Sequence, residues 1–120
     1  MKAKKITIKA VRDAYKNTEI VPVACKTLDS YECMACPIAV LYFNCHPQSL
    51  ACFKKAKTIF RGEPMNEAVF DWANRAFGYD YVDSFVAGVD GGVQYVEGSE
   101  ANKGFKEGRD ILKSLKLKDY

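Results

Sequence analysis

An amphipathic segment that begins at Met65 constrains the fold of this chain more than any other feature of its sequence. Apolar residues recur there at the i, i+3, i+4, i+7 spacing of one helix face, and polar residues lie on the opposite face. Gly78, directly after the pattern, is typical of the left-handed residue at a helix end. Asp80 then predicts the N-cap of a second helix over residues 81–87. The apolar positions of the first helix are Met65, Ala68, Val69, Trp72, Ala73, Ala76 and Phe77.

The N-terminal part of the chain predicts short strands. Residues 5–9 alternate apolar and polar side chains, which is the period of a strand. Residues 20–24 form a second β-favouring run, in which Pro22 indicates a sheet edge or a bend because proline has no N–H to donate. Residues 25–36 are predicted to be irregular, with a turn at Asp29.

A buried helix is predicted to begin at Pro37. Proline is favoured at the first helical position, where an N–H would have no partner within the helix. Residues 38–43 are apolar on all sides, so we expect this helix to lie in the core. The apolar runs 50–53 and 58–60 then predict a β-hairpin, whose loop is the lysine-rich stretch 54–57.

The C-terminal part of the chain predicts a strand over residues 93–97 and a last helix over residues 107–117. The lysines near the end of that helix suit the negative end of its dipole. The chain has no repeat or linker, and its 120 residues are near the commonest size of one domain. We therefore predict a single α+β domain over residues 1–120, with helices packed on a small, mostly antiparallel sheet.

The composition is that of an ordinary globular protein. Hydrophobic residues make up 48% of the chain and charged residues 28%, a balance that supports a packed core. No apolar run approaches the roughly 20 residues that a membrane-spanning helix needs. The basic N-terminus also lacks the apolar stretch of a signal peptide. The expected location is the cytoplasm, where cysteines are thiols or metal ligands rather than disulfides.

Charge is segregated along the sequence, although the net charge is only +3. Residues 1–62 carry 11 basic and 4 acidic side chains, whereas residues 63–100 carry 1 basic and 8 acidic ones. An acidic face repels nucleic acid and favours basic protein partners. The lysines of residues 54–57 could contact phosphates, but the neighbouring acidic block argues against nucleic-acid binding.

Four of the five cysteines and the single histidine lie between residues 33 and 52. Zinc prefers four cysteine or histidine ligands in a tetrahedron, and a C-x2-C pair in a turn supplies two of them. Cys33 and Cys36 form such a pair, and Cys52 with either His46 or Cys45 would complete the site. Free cysteine is also among the most buried residue types, so the favoured interpretation is that these thiols are core residues and that no cofactor binds. The ligands of the zinc hypothesis are Cys33, Cys36, His46 and Cys52.

The same cysteines allow a third interpretation, a thiol-based redox enzyme centred on Cys36. Cys36 precedes the predicted helix, whose dipole favours a thiolate, and Cys33 could resolve it as a disulfide. Thioredoxin-like motifs, however, place the first cysteine of the pair at the helix start, whereas here the second one is there. The redox enzyme is therefore the least favoured of the alternatives.

The string Cys-Pro-Ile-Ala at residues 36–39 is followed by a predicted helix, a hairpin and the string Tyr-Val-Asp-Ser-Phe at residues 81–85. Over about residues 33–97 this order resembles small bacterial and phage proteins of unassigned activity that share a Cys-Pro-[Ile/Val]-Ala motif. The additional cysteines and the tail beyond Glu97 depart from that pattern. The resemblance implies a small cytoplasmic protein, phage-associated and non-enzymatic.

Aromatic residues mark the acidic helix pair as the preferred binding surface. Phe70 lies off the apolar stripe of its helix, and Tyr79 and Tyr81 lie beside Gly78. Exposed aromatic side chains in acidic surroundings are typical of protein-binding anchors, although a second packing layer is the alternative. We therefore predict a non-enzymatic binding protein, a phage accessory or inhibitor protein that contacts a host macromolecule. The predicted binding residues are Glu67, Phe70, Asp71, Tyr79, Tyr81 and Asp83.

Overall fold

Six helices and four strands of two residues each make up the part of the chain that the structure describes. This computed structural model describes residues 5–23, 28–61, 64–89 and 99–115, with the backbone alone for residues 99–102. The predicted α+β class is confirmed. The helices are α1 (Ile8–Thr18), α2 (Pro37–Cys45), α3 (Pro47–Ala56), α4 (Pro64–Phe77), α5 (Tyr79–Val89) and α6 (Ser99–Ser114). The strands are β1 (Val21–Pro22), β2 (Leu28–Asp29), β3 (Met34–Ala35) and β4 (Ile59–Phe60).

The strands form one mixed sheet in the order β1-β3-β2-β4. β2 pairs antiparallel with both β3 and β4, whereas β1 lies parallel to β3. The described sheet is therefore small and mostly antiparallel, as predicted. β1 lies within the strand predicted over residues 20–24, and its edge position suits Pro22, which has no N–H to donate.

Residues 25–36, predicted to be irregular, contribute two of these strands. β2 and β3 pair with each other across a short turn, so they depend on that pairing rather than on a local alternation of side chains. Two residues are too few for such an alternation to be recognised. The turn predicted at Asp29 is confirmed, because its Oδ1 accepts a hydrogen bond from the Glu32 N–H at 3.2 Å.

Helix α1 replaces the strand predicted over residues 5–9, so that prediction is wrong. Thr7 is the N-cap of α1, and its Oγ1 accepts a hydrogen bond from the Ala10 N–H at 3.1 Å. The buried side chains of α1 follow a helical spacing that continues well beyond the short alternation around Thr7. They are Val11, Ala14, Tyr15 and Thr18.

Helix α3 replaces the first strand of the predicted hairpin, which is also wrong. Pro47 occupies the first helical position, and two lysines of the last turn, Lys54 and Lys55, suit the negative end of the helix dipole. Phe53 lies on the inward face of α3 and is fully buried. The second predicted strand is confirmed as β4, within residues 58–60.

Helix α4 is the amphipathic helix that the sequence predicts. Val69, Ala73 and Phe77 are buried on one of its faces. Gly78 follows with φ +95°, a left-handed conformation that glycine adopts without strain. Ala68, which the pattern assigns to the apolar face, is exposed.

Helices α5 and α6 both begin earlier than the sequence predicts. α5 begins at Tyr79, so Asp80 lies in its first turn rather than at its N-cap, and the carboxylate still suits the positive end of the helix dipole. α6 begins at Ser99, whereas the predicted helix begins at residue 107. The strand predicted over residues 93–97 lies outside the described residues.

Helix α2 forms the centre of the core, as its apolar sequence predicts. Its side chains from Pro37 to Phe43 are buried, and α1, α3 and α4 pack around it. α5 packs against both α4 and α6. Within the described residues, no helix combines the length and the apolar character that crossing a membrane requires. The arrangement brings the two predicted binding helices, α4 and α5, side by side.

Candidate protein-binding groove

One side of helix α5 is closed by helix α6. Three glycines bring the two backbones into direct contact, because a Cβ atom at Gly88, Gly104 or Gly108 would lie 2.2–2.4 Å from a carbonyl oxygen of the opposite helix. Real Cβ atoms do not approach other atoms so closely, so only glycine fits at these positions. We call these three residues the glycine seam.

The other side of α5 borders an open groove against α4, with a cavity volume of about 180 Å³. The lining residues on α5 recur at the i, i+3, i+4, i+7 spacing and those on α4 at i, i+4, so each helix contributes one face. Gly78 is the whole connection between the two helices, and the groove lies beside it. The lining of this α4–α5 groove consists of Phe70, Asn74, Tyr79, Val82, Asp83 and Val86.

The groove combines an apolar floor with an aromatic and polar rim. Val82 and Val86 are the buried lining residues and form the floor. Tyr79 is 67% exposed despite its large ring, and Asp83, four residues later on the same helix face, is exposed as well. The two lining residues on α4 are half-buried. A group that enters therefore meets apolar surface at depth and an aromatic ring and a carboxylate at the mouth.

The two helices that form the groove carry an excess of acidic side chains. α4 and α5 together carry four carboxylates and the guanidinium of Arg75. Glu67 precedes Phe70 by three residues, so it lies on the groove side of α4. Asp71 and Asp80 are also exposed. A surface with this excess of carboxylates has a negative potential and attracts cationic groups.

The structure brings together three of the six predicted binding residues. Phe70, Tyr79 and Asp83 line the groove. Glu67 and Asp71 are exposed on α4 but lie outside the lining. The predicted acidic helix pair thus contains a groove, which the sequence pattern alone does not predict.

Tyr81, the sixth predicted residue, is only 4% exposed, so its prediction as a surface anchor is wrong. Its hydroxyl donates a hydrogen bond to the Glu107 carboxylate on α6 and accepts one from the Ile6 N–H at 2.9 Å. The other carboxylate oxygen of Glu107 forms an ion pair with Lys5 Nζ at 3.2 Å. Two residues along a helix correspond to a rotation of about 200°, so Tyr81 faces α6 while Tyr79 faces the groove.

The other three lining residues of the groove are absent from the predicted site. Val82 and Val86 match the apolar pattern of a core helix, and a local pattern cannot distinguish a core position from the floor of a groove. Asn74 belongs to the predicted polar face of α4. The signal that could have identified all three is the single-residue connection at Gly78. A connection this short makes the two helices neighbours, so residues within two turns of it must face each other.

The cysteine and histidine window extends along α2 instead of converging on one point. Cys33 lies in the turn before β3 with φ +54°, and Cys36 is the N-cap of α2. His46 follows the other end of α2, about 15 Å further along the helix axis. Cys45, at the end of α2, and Cys52, on α3, are exposed, so the favoured prediction that the cysteines are core residues is wrong for these two. In the described parts of the chain, no three His, Cys, Asp or Glu side chains are grouped so that they could hold a metal ion, and the four predicted zinc ligands are not brought together.

His46 packs at the junction of α2 and α3. Its Nδ1 donates a hydrogen bond to the Tyr42 carbonyl oxygen at 2.7 Å, because a carbonyl oxygen can only accept. Its ring stacks on that of Tyr42, with ring centroids 4.2 Å apart, and meets the Trp72 ring edge-on at 5.9 Å. These contacts give His46 a structural role in joining α2, α3 and α4.

Cys36 is buried in a closed corner of the core. Burial, and to a smaller extent the neighbouring Cys36 side chain, raises the pKa of Tyr15 well above its ordinary value. The Tyr15 hydroxyl donates a hydrogen bond to the Ala35 carbonyl oxygen at 2.8 Å. A substrate would have to displace core side chains to reach the Cys36 thiol, so the structure adds no support to the redox-enzyme hypothesis.

Comparisons with known proteins supply no family for this chain. No protein-family description, no curated protein and no solved structure matches it. The resemblance based on the Cys-Pro-Ile-Ala string therefore stays a prediction. The function has to be inferred from the residues of the α4–α5 groove and their surroundings.

Proposed function

We propose that this protein is a non-enzymatic binding protein that holds a second protein in the α4–α5 groove and on the acidic surface around it. The observation that carries the proposal is the position of Tyr79. Its ring is 67% exposed at the mouth of a groove that has an apolar floor and a carboxylate at its rim.

Aromatic residues beside an apolar depression support a protein interface. Tyrosine is enriched at the energetic centres of interfaces, because its ring buries a large area while its hydroxyl keeps a polar contact. Phe70 lines the opposite wall of the groove and is half-buried. A partner side chain inserted between the two helices would bury both rings further.

The volume of the groove favours a side chain over a cofactor. Small-molecule and cofactor sites commonly have volumes of about 300–1,000 Å³, whereas this cavity has about 180 Å³. An inserted side chain needs less room, because the rest of the partner lies on the surrounding surface. The groove therefore suits the anchor residue of a larger interface.

The charge around the groove supports a basic partner. Four carboxylates on α4 and α5 create a potential that attracts cationic segments and repels nucleic acid. The resemblance to small phage proteins adds the proposal that the partner is a host component and that binding alters its activity. The protein would then act as an accessory or inhibitor protein.

A capture experiment with two matched variants tests this function. The groove variant carries Glu67→Lys, Asp71→Lys and Asp83→Lys. The control variant carries the same change of charge on other elements, at residues exposed or half-buried: Asp13→Lys, Glu32→Lys and Asp110→Lys. We expect the wild type and the control variant to retain the same protein from a host lysate.

The groove variant should lose that protein while keeping the circular dichroism spectrum of the wild type. Equal capture by the groove variant and the control variant would contradict the proposed function.

A further inference from the structure

We infer that the α4–α5 groove binds an arginine side chain from a basic segment of the partner. The methylene stem of the arginine would lie on Val82 and Val86, and its guanidinium between the Tyr79 ring and the Asp83 carboxylate. This inference deepens the proposed function and rests on it. It names the chemical group that the groove recognises.

The first step of the argument is the size of the groove. The cavity of about 180 Å³ lies below the range of about 300–1,000 Å³ that small-molecule sites have. That space accommodates one long side chain but not a helix or a strand. The occupant is therefore a single residue that projects from the partner.

The second step is the gradient of polarity from floor to rim. Val82 and Val86 are 3% and 8% exposed, so they offer a small apolar surface, whereas Asp83 and Tyr79 are exposed at the mouth. A side chain that matches this gradient has an apolar stem and a cationic head, as lysine and arginine do. An acidic side chain would be repelled by Asp83, and a purely aliphatic one would make no polar contact with the rim.

The third step separates arginine from lysine. A guanidinium is planar and weakly hydrated, so it stacks on an aromatic ring and donates two parallel hydrogen bonds to a carboxylate. Tyr79 and Asp83 are four residues apart on one helix face, so the ring and the carboxylate flank the same space. The side-chain oxygen of Asn74 on the opposite wall can accept a further N–H. The lysine ammonium is strongly hydrated and gains less from these surfaces.

The fourth step extends the site beyond one residue. Glu67, Asp71 and Asp80 are exposed near the groove on the same two helices. Each can pair with a further basic residue of the partner segment, and pairs of this kind raise the association rate more than the affinity. The favoured partner segment therefore contains several basic residues, of which one arginine is inserted.

The test uses three blocked peptides, acetyl-Gly-X-Gly-amide with X as arginine, lysine or leucine, titrated into the full chain labelled with nitrogen-15. A single inserted side chain gives a dissociation constant in the millimolar range, roughly 1–10 mM. We expect the arginine peptide to bind at least tenfold more tightly than the lysine and leucine peptides. Its largest chemical-shift changes should fall on Asn74, Tyr79 and Asp83. Equal binding of the three peptides, or shift changes centred elsewhere, would overturn the inference.

Variants of the two rim residues, Tyr79 and Asp83, test whether the arginine peptide binds at the groove. Tyr79→Leu and Asp83→Asn should each weaken the arginine peptide at least fivefold, whereas Tyr79→Phe should retain binding because the ring remains. Tyr31 is 64% exposed, close to the value of Tyr79, but lies in the turn between β2 and β3. Tyr31→Leu is therefore the matched control and should leave binding unchanged. An equal loss in Tyr31→Leu and Tyr79→Leu would contradict the site.

The two proposals fail in different ways. If the groove variant loses the captured protein but the three peptides bind equally, the arginine site is overturned and the protein-binding function stands. Capture by the groove variant would overturn that function whatever the peptides do. Dimerisation in sedimentation velocity that Tyr79→Leu and Asp83→Asn abolish would identify a second copy of this chain as the occupant and overturn the inference.

Discussion

The two sides of helix α5 meet their neighbours in opposite ways. At the glycine seam the helices touch through their backbones, and a single added carbon would collide with a carbonyl oxygen of the other helix. At the α4–α5 groove the helices are separated by large side chains, and open space remains between them. One helix therefore holds the fold together on one side and leaves a depression on the other.

This difference shows where the chain tolerates change. At the seam, any side chain larger than hydrogen alters the distance between two helices, so the sequence there is fixed by the fold. At the rim of the groove, Tyr79 can change without moving a helix, because its side chain is exposed. Residues whose identity the fold does not require are those that a partner can select.

The largest expected difference between the two sides concerns a pair of tyrosines. Tyr81→Ala removes a buried ring and both of its hydrogen bonds, and we expect it to lower the free energy of unfolding by about 3–5 kcal/mol. Tyr79→Ala removes an exposed ring and should change that free energy by no more than about 0.5 kcal/mol. Urea unfolding of both variants measures the difference. Equal losses would mean that the two sides of α5 do not differ as described.

The glycine seam itself gives the next largest effect. Alanine usually stabilises a helix by about 0.5–1 kcal/mol relative to glycine. Gly108→Ala should instead destabilise the protein by about 1–3 kcal/mol, because the new Cβ overlaps the Phe85 carbonyl oxygen. Asp110→Ala on the exposed face of α6 is the control. A more stable Gly108→Ala variant in urea unfolding would show that the seam is looser than described.

A third prediction concerns the closed contact between α1 and α2, where Tyr15 is buried. The raised pKa of Tyr15 means that the folded chain keeps the phenol proton when the unfolded chain, with a pKa of about 10, releases it. Stability from Tyr15 is therefore complete below about pH 10 and is lost as the pH rises further, by up to about 1.4 kcal/mol per pH unit.

Urea unfolding between pH 8 and pH 11 tests this dependence, with Tyr15→Phe as the probe. Tyr15→Phe should flatten the decline above about pH 10, after allowance for the lost hydrogen bond to the Ala35 carbonyl oxygen. If the stability of Tyr15→Phe declined with pH as steeply as that of the wild type, Tyr15 would not be the cause of the decline.

The smallest effect is expected for a pair of cysteines. Cys36→Ala should lower the free energy of unfolding by about 1 kcal/mol because it leaves a small void in the core. Cys52→Ala should change it by less than about 0.5 kcal/mol because this thiol is exposed. Iodoacetamide should likewise label Cys52 in the native chain before Cys36, as peptide mass spectrometry would record. Faster labelling of Cys36 than of Cys52 would support the hypothesis of a redox enzyme centred on Cys36.

The sequence was sufficient for elements whose signals are local. Pro37 at a helix start, the apolar spacing from Met65 and the left-handed Gly78 each need only their neighbours, and all three predictions are confirmed. The alternation around Thr7 was misleading, because a few residues fit both a strand and a capped helix start. β2 and β3 could not be predicted, since two residues show no alternation and β2 exists through pairing with β3 and with β4, which lies about thirty residues further along the chain.

The candidate site shows the same difference between local signals, which the sequence contains, and contacts that are distant in sequence. Phe70, Tyr79 and Asp83 could be predicted because aromatic and acidic residues beside a helix corner indicate a surface. Tyr81 could not be assigned correctly from the same pattern, because its burial depends on α6 and on Ile6, which are distant in sequence. The groove floor was missed for a related reason. An apolar residue such as Val82 fits a core position and the floor of a groove equally well. The packing of α6 against α5 determines which side of α5 stays open.

The hydrogen bond from the Ile6 N–H to Tyr81 joins residues 75 positions apart, and this separation has a consequence for the order of folding. The entropic penalty of closing a loop comes before the contact can stabilise the chain, so we expect such contacts to form after the local helices. A ribosome makes Ile6 early, yet both the hydroxyl that holds it and the Glu107 carboxylate behind that hydroxyl are made much later. We therefore expect Ile6 to be fixed later than α1, which packs mainly on the early-made α2, because Tyr81 and Glu107 must both be made before this contact is complete.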